Sequence, residues 1–191
     1  MDIILIRHGE THDNVKKQFS TKDVTLTDRG RRQIEKAKAI VDKLFFDRVY
    51  VSPLARAIET MKILGLEGER EERIREVDFG LFEGKTYEEL KEKFPDEIKL
   101  WFDDVINYTV PEGESIKMAY DRVVSFLEEL VDKKENALLI CHDGVIKMAL
   151  SWVFDNPEFF FKFKIDNGSI SIISIDEMGF KYIKKANYTV K

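Results

Sequence analysis

The order of apolar segments predicts an α/β fold, an open and largely parallel sheet with helices on both faces. Two observations carry this expectation. Short apolar runs of strand length alternate with longer stretches of helical periodicity along the chain. Three of the strand-like runs also end in polar residues with chemistry of their own, and the carboxyl ends of strands are where such sheets place ligands.

The elements follow in order. "DIILI" (2–6) is apolar, of strand length, and runs into Arg7-His8-Gly9. Thr27 opens a helix with Ile34, Ala37, Val41 and Leu44 on one face. "DRVYVS" (47–52) reads as the second strand, and Pro53 suits the first turn of the helix carrying Arg56 to Leu64. Thr86 and Glu89 have the spacing of a capping box. Ser115 caps a longer helix whose Ala119, Val123, Phe126, Leu127 and Leu130 face the core. "NALLIC" (136–141) is the third strand and leads through His142-Asp143-Gly144 into an apolar helix from Val145 to Phe154. "SISIISI" and "KYIKK" are the last strands, with a turn at Glu177 to Gly179. No repeat or Pro/Gly/Ser-rich linker intervenes, so residues 1–191 are expected to form a single domain.

Composition narrows the function classes. With 43% hydrophobic and 35% charged residues, a folded globular protein is favoured over a disordered chain. No apolar run approaches the roughly 20 residues that span a bilayer, so no membrane partner is expected. A net charge of −5 provides no general basic surface for nucleic acid, and any anion site must be local. The single cysteine, Cys141, excludes an internal disulfide and fits a reducing compartment. The first residues lack a basic stretch followed by an apolar one, so a cytoplasmic location is expected.

Arg7, His8, Arg56 and His142 would meet at one crevice if the three strand ends share an edge, making a receptor for a tetrahedral anion. Arginine presents a planar fork matched to phosphate oxygens and stays charged. The helix after Gly144 would aim free N–H groups at the same place, and Asn14 adds an uncharged donor. His8 lies between Arg7 and a glycine that lets a ligand approach. A neutral imidazole there could attack phosphorus, with the arginines disfavouring its protonation. The leaving oxygen needs a proton, and Glu76 in "REVDFGLFEG" is the candidate acid, turning base when water arrives.

"LIRHGET" with Asn14, "LTDRGRRQ", "SPLARAIET", "REVDFGLFEG", "PEGES" and "CHDGVI" occur in an order that resembles the histidine phosphatase superfamily, which includes the phosphoglycerate mutases. The resemblance runs from Ile3 to about Leu150. It implies an α/β/α sandwich, a phosphohistidine on His8, phosphate binding by Arg7, Arg56 and His142, and proton donation by Glu76. No metal and no cofactor are expected. Three stretches depart from the family pattern. Ser20-Thr21 stand where many members carry glycine, Asp143 makes "HDG" of a commoner "HGG", and Phe82 replaces a common Trp. Asn14, Ser20, Thr21 and Asp143 are therefore expected on the substrate side of the site.

Other readings compete. His12, four residues after His8, invites a metal site, but the Glu of the zinc helix motif is missing. Cys141 invites a thiolate phosphatase, yet Lys147 stands where that loop needs arginine, and core packing explains the cysteine better. Phe94, Trp101, Phe102 and Tyr108 fall in a lid-like segment at about 83–114, half expected against the sheet and half over the leaving group. From Glu88 to Ser115 there are nine acidic residues against three lysines, a net −6 that ill suits the second phosphate of a mutase substrate. A non-catalytic phosphate-binding module would not need both His8 and Glu76. A phosphatase acting on a small phosphate ester is the expected function. "PEGES" with "KFKIDNGSISII" is similar to α-ribazole phosphatases of cobalamin assembly. Oligomeric state is not legible.

Overall fold

The computed structural model describes residues 1–189. The strands β1 (Asp2–Arg7), β2 (Arg48–Val51), β3 (Glu69–Arg70), β4 (Ala137–Cys141), β5 (Ile170–Ile175) and β6 (Lys181–Tyr188) form one sheet, ordered β3-β2-β4-β1-β5-β6. The central strands β2, β4 and β1 are parallel, with Ile3 opposite Ala137 and Val51 opposite Ile140. β5 runs antiparallel to β1, and β6 antiparallel to β5. The sheet is thus largely parallel, as expected.

The helices are α1 (His12–Lys16), α2 (Asp28–Val41), α3 (Ala55–Leu64), α4 (Tyr87–Lys93), α5 (Pro95–Asp103), α6 (Ile116–Lys133) and α7 (Asp143–Trp152). Alternate residues of each strand feed two cores. Ile4, Ile6, Leu138 and Ile140 pack with Ile34 and Ala37 of α2 and Ala57 and Leu64 of α3. Ile3, Leu5, Leu139 and Cys141 pack with α6 and α7 on the other face. Every residue of β4 is buried, which places it at the centre of the sandwich. Each such Ile or Leu contributes about 1.5–3 kcal/mol by leaving water.

The helix starts behave as their local chemistry requires. Thr27, Thr86 and Ser115 each accept the N–H three residues on, from Gly30, Glu89 and Met118, and Glu89 closes the capping box on Thr86. Four expectations need correction. Pro53 precedes α3 rather than opening it, because Leu54 is the N-cap. Leu44 lies beyond the end of α2. α7 begins at Asp143, two residues early, with His142 as its N-cap, and ends at Trp152. Phe94, Trp101 and Tyr108 do not pack on the sheet. They join Phe82, Leu90, Ile98 and Val110 in a third cluster of their own, while Phe102 is exposed. Among the described residues, no helix is long and apolar enough to cross a membrane.

Candidate functional site

Because β1, β4 and β2 are adjacent and parallel, their carboxyl ends open on one edge. His8 follows β1, Ser52 follows β2, His142 follows β4, and Arg56 sits in the first turn of α3. The His8 and His142 rings are both buried, with centroids 5.2 Å apart and planes tilted by 59°.

His8 Nδ1 lies 2.8 Å from the carbonyl oxygen of Gly9. A carbonyl can only accept, so Nδ1 carries the proton and Nε2 keeps its lone pair. Burial, then the charges of Arg56 and Arg7, hold His8 well below its ordinary pKa. The arginines therefore act as anticipated but after desolvation. His142 is neutral for the same leading reasons, burial and then Arg56. Its Nε2 is 2.7 Å from Ser52 Oγ, and its Nδ1 is buried without a protein partner among the described residues.

Arg7 donates through Nη1 to the Ile165 carbonyl and approaches Asp143 Oδ1 at 3.7 Å. Arg56, fully buried, donates through Nη1 to Thr21 O at 2.9 Å. The Nε–H of each arginine is buried and has no protein acceptor among the described residues. Gly9 has a packing reason of its own. A Cβ on Gly9 would collide with the Gly30 backbone, and one on Gly30 with the backbone of Glu10, so this pair lets the loop after β1 lie on α2.

Glu76 reaches the same edge from the irregular segment between two 3₁₀ turns, Glu72–Ile74 and Gly80–Phe82. One carboxyl oxygen takes the Val77 N–H at 3.0 Å, and the other lies 3.5 Å from the Gly144 N–H in the first turn of α7. Any side chain at Gly144 would strike that carboxyl. Burial and then the neighbouring Asp143 push the Glu76 carboxyl upward, against Arg56 and Arg7. Asp143 itself is held by Lys147 at 2.6 Å, one turn along α7.

Asn14 closes the Thr11 capping box, and its side-chain oxygen accepts from both Thr11 N and Asn167 Nδ2, leaving its amide N–H groups to donate. Ser20 and Thr21 line a pocket beside Arg56 and Glu76. The N–H and hydroxyl of Thr21, however, are both turned to Asp13. Thr21 therefore serves Arg56 through its carbonyl. His12 is exposed on α1. Among the described residues no three His, Cys, Asp or Glu side chains group as metal ligands.

Sequence reasoning missed the Ser52–His142 pair, the Asn167 contact to the His8 carbonyl, and Arg122, which bonds to the segment carrying Glu76. Ser52, Asn167 and Glu114 lie in the motifs "SPLARAIET", "KFKIDNGSISII" and "PEGES", but their contacts do not follow from those motifs. The three contacts span 90, 159 and 46 residues, and no local pattern encodes them. Together the edge offers two guanidinium groups, two uncharged imidazoles and one half-buried carboxyl. That set can receive a tetrahedral dianion, attack it and protonate what departs.

The family model described as histidine phosphatase superfamily (branch 1) matches residues 3–188. Phosphoserine phosphatase 1 of Hydrogenobacter thermophilus is 30% identical over 183 residues, covering 92% of this chain and 87% of that protein. The 6-phosphofructo-2-kinase/fructose-2,6-bisphosphatase of Gallus gallus is 34% identical over 155 residues, 80% of this chain. The match spans only 33% of that longer protein. The crystal structure of the α-ribazole phosphatase from Shigella flexneri superposes with a TM-score of 0.90 at 27% identity, over 98% of this chain and 96% of that one.

Proposed function

The chain belongs to the histidine phosphatase superfamily, and from that premise we propose that it is a phosphomonoesterase working through a phosphohistidine on His8. The observation that carries this reading is the bond from His8 Nδ1–H to the Gly9 carbonyl, which leaves Nε2 free to act beside Arg7 and Arg56. Nε2 attacks phosphorus as the ester P–O bond breaks, and Glu76, whose carboxyl burial and Asp143 push toward its protonated form, gives its proton to the leaving oxygen. Water then attacks the phosphohistidine and passes a proton to the Glu76 carboxylate, releasing inorganic phosphate. Arg7, Arg56, His142 Nδ1–H and the Asn14 amide bind the phosphoryl oxygens, whose charge is spread in the transition state. For His142 this requires the Ser52 hydroxyl to donate to Nε2.

The segment 83–114 is the proposed lid. The pocket beside Glu76 supports a phosphatase over a mutase, since its cations Lys22 and Arg75 are already paired with Asp78 at 3.2 Å and Glu114 at 3.5 Å. Neither is left for a second phosphate. As substrate we put α-ribazole 5′-phosphate first, supported by the likeness to the Shigella flexneri structure. Phe19 and Tyr87 line a depression with Arg7 and Asn14 where a flat base can lie. Phosphoserine stands second, on the Hydrogenobacter thermophilus relative.

The test is a turnover panel of α-ribazole 5′-phosphate, phosphoserine, fructose 2,6-bisphosphate and an aryl phosphate, with trapping of the phosphoenzyme. His8→Ala should abolish both turnover and labelling. Undiminished turnover in that variant removes the nucleophile assignment, and preference for phosphoserine removes the first substrate.

A further inference from the structure

We propose that Arg122 is a positioning residue for phosphoryl transfer and that, with Glu114, it holds the Glu76 carboxyl over the start of α7. This rests on the acid–base role proposed for Glu76. The segment 73–78 lies outside any long helix or strand, so its carbonyl groups need partners from elsewhere. Arg122, reaching across from α6, supplies them. Nη1 donates to the carbonyls of Arg73 at 2.7 Å and Arg75 at 2.8 Å. Nη2 donates to the carbonyl of Glu76 at 3.1 Å and to Glu114 Oε1 at 2.6 Å, and Nε to Glu114 Oε2 at 3.1 Å. All five N–H groups of one guanidinium are thereby used.

Glu114 ties the other side of the segment. Its carboxylate accepts the Asp78 N–H at 2.9 Å, and its own N–H donates to the Asp78 carbonyl at 2.8 Å. Glu76 is therefore fixed at its own carbonyl and bracketed at residues 73, 75 and 78. The two side chains are 15% and 7% exposed. A buried ion pair is a poor way to gain stability, since desolvation offsets the attraction. What this pair supplies is placement. A lysine could keep the charge but could not span five acceptor atoms set around a fork. Displacing an acid by about 1 Å is enough to cost roughly 100-fold.

The experiment measures kcat/KM, which reports the step forming the phosphoenzyme, for phosphate monoesters running from aryl to alkyl leaving groups. Alkyl oxygens need the Glu76 proton and aryl oxygens scarcely do. Arg122→Lys should cost alkyl esters about 10- to 100-fold and aryl esters about threefold at most. It should add nothing in a Glu76→Gln background. The basic limb of its pH profile should move to lower pH as the Glu76 carboxyl returns to water. Glu114→Gln gives the same readout if arginine variants fold poorly. An equal loss on both ester classes, or a full additional loss on top of Glu76→Gln, makes Arg122 merely structural and overturns the proposal. A wild-type chain inert toward every ester removes the phosphatase reading itself, and this role with it.

Discussion

A carbonyl oxygen next to His8 decides how that residue can react. The Gly9 carbonyl pins the Nδ1 proton, so the reactive nitrogen is chosen by a neighbour that has no other option. Arg56 is the costliest residue of the site to place, because a guanidinium 1% exposed must be stabilised by something charged. Burial lowers its pKa, and Glu76, Asp13 and Glu83 oppose that fall. If Arg56 also steadies charge on the phosphoryl group, Arg56→Ala should lower kcat/KM by about 100- to 1000-fold. The check is to compare that loss with the shift in the unfolding midpoint. A variant that unfolds earlier yet turns over normally makes Arg56 a packing residue. Arg7, His8 and His142 were legible in the sequence because each directly ends an apolar run. Arg122 was not, since its meaning lies in carbonyl groups 46 to 49 residues away.

Between elements, the tightest contact is backbone against backbone. Gly9 and Gly30 let the loop after β1 rest on the first turn of α2. A methyl group at either position has nowhere to rotate, so Gly30→Ala should destabilise the chain by about 3 kcal/mol, the upper end for overpacking. It should also slow turnover by shifting His8, and Tm with an activity assay reads both. Unchanged stability would mean that the two segments can part. Capped helices were the most readable elements, because Thr27, Thr86 and Ser115 bond within three residues of themselves. β3 escaped notice because two exposed residues, Glu69 and Arg70, carry no pattern at all. The aromatics of 94–108 misled because an apolar cluster looks the same in sequence whether it covers a sheet or stands apart.

The molecule as a whole carries an acid liability. Unfolded imidazoles take up protons as pH falls through about 6.5, whereas the buried His8 and His142 do not. Their depressed values mean that stability present above that pH is lost on acidification, by about 1.4 kcal/mol per pH unit for each ring. Glu76 works the other way, because its raised carboxyl binds a proton in the folded state first. Urea unfolding at pH 7, 6 and 5 should show a net fall, steeper in Glu76→Gln, where one group opposing the imidazoles is gone. Equal stability at all three values, in both proteins, would contradict the neutral buried pair. The layered architecture was legible from alternation alone. The insertion of β4 between β1 and β2 was not, since strand order is settled by long-range pairing. That insertion also seals Cys141 between two other strands, fully buried and with its thiol pushed far up from its ordinary value. With a ring nitrogen as the proposed attacking atom and the lone thiol shut away, reagents that attack thiolates should leave turnover by this route unchanged.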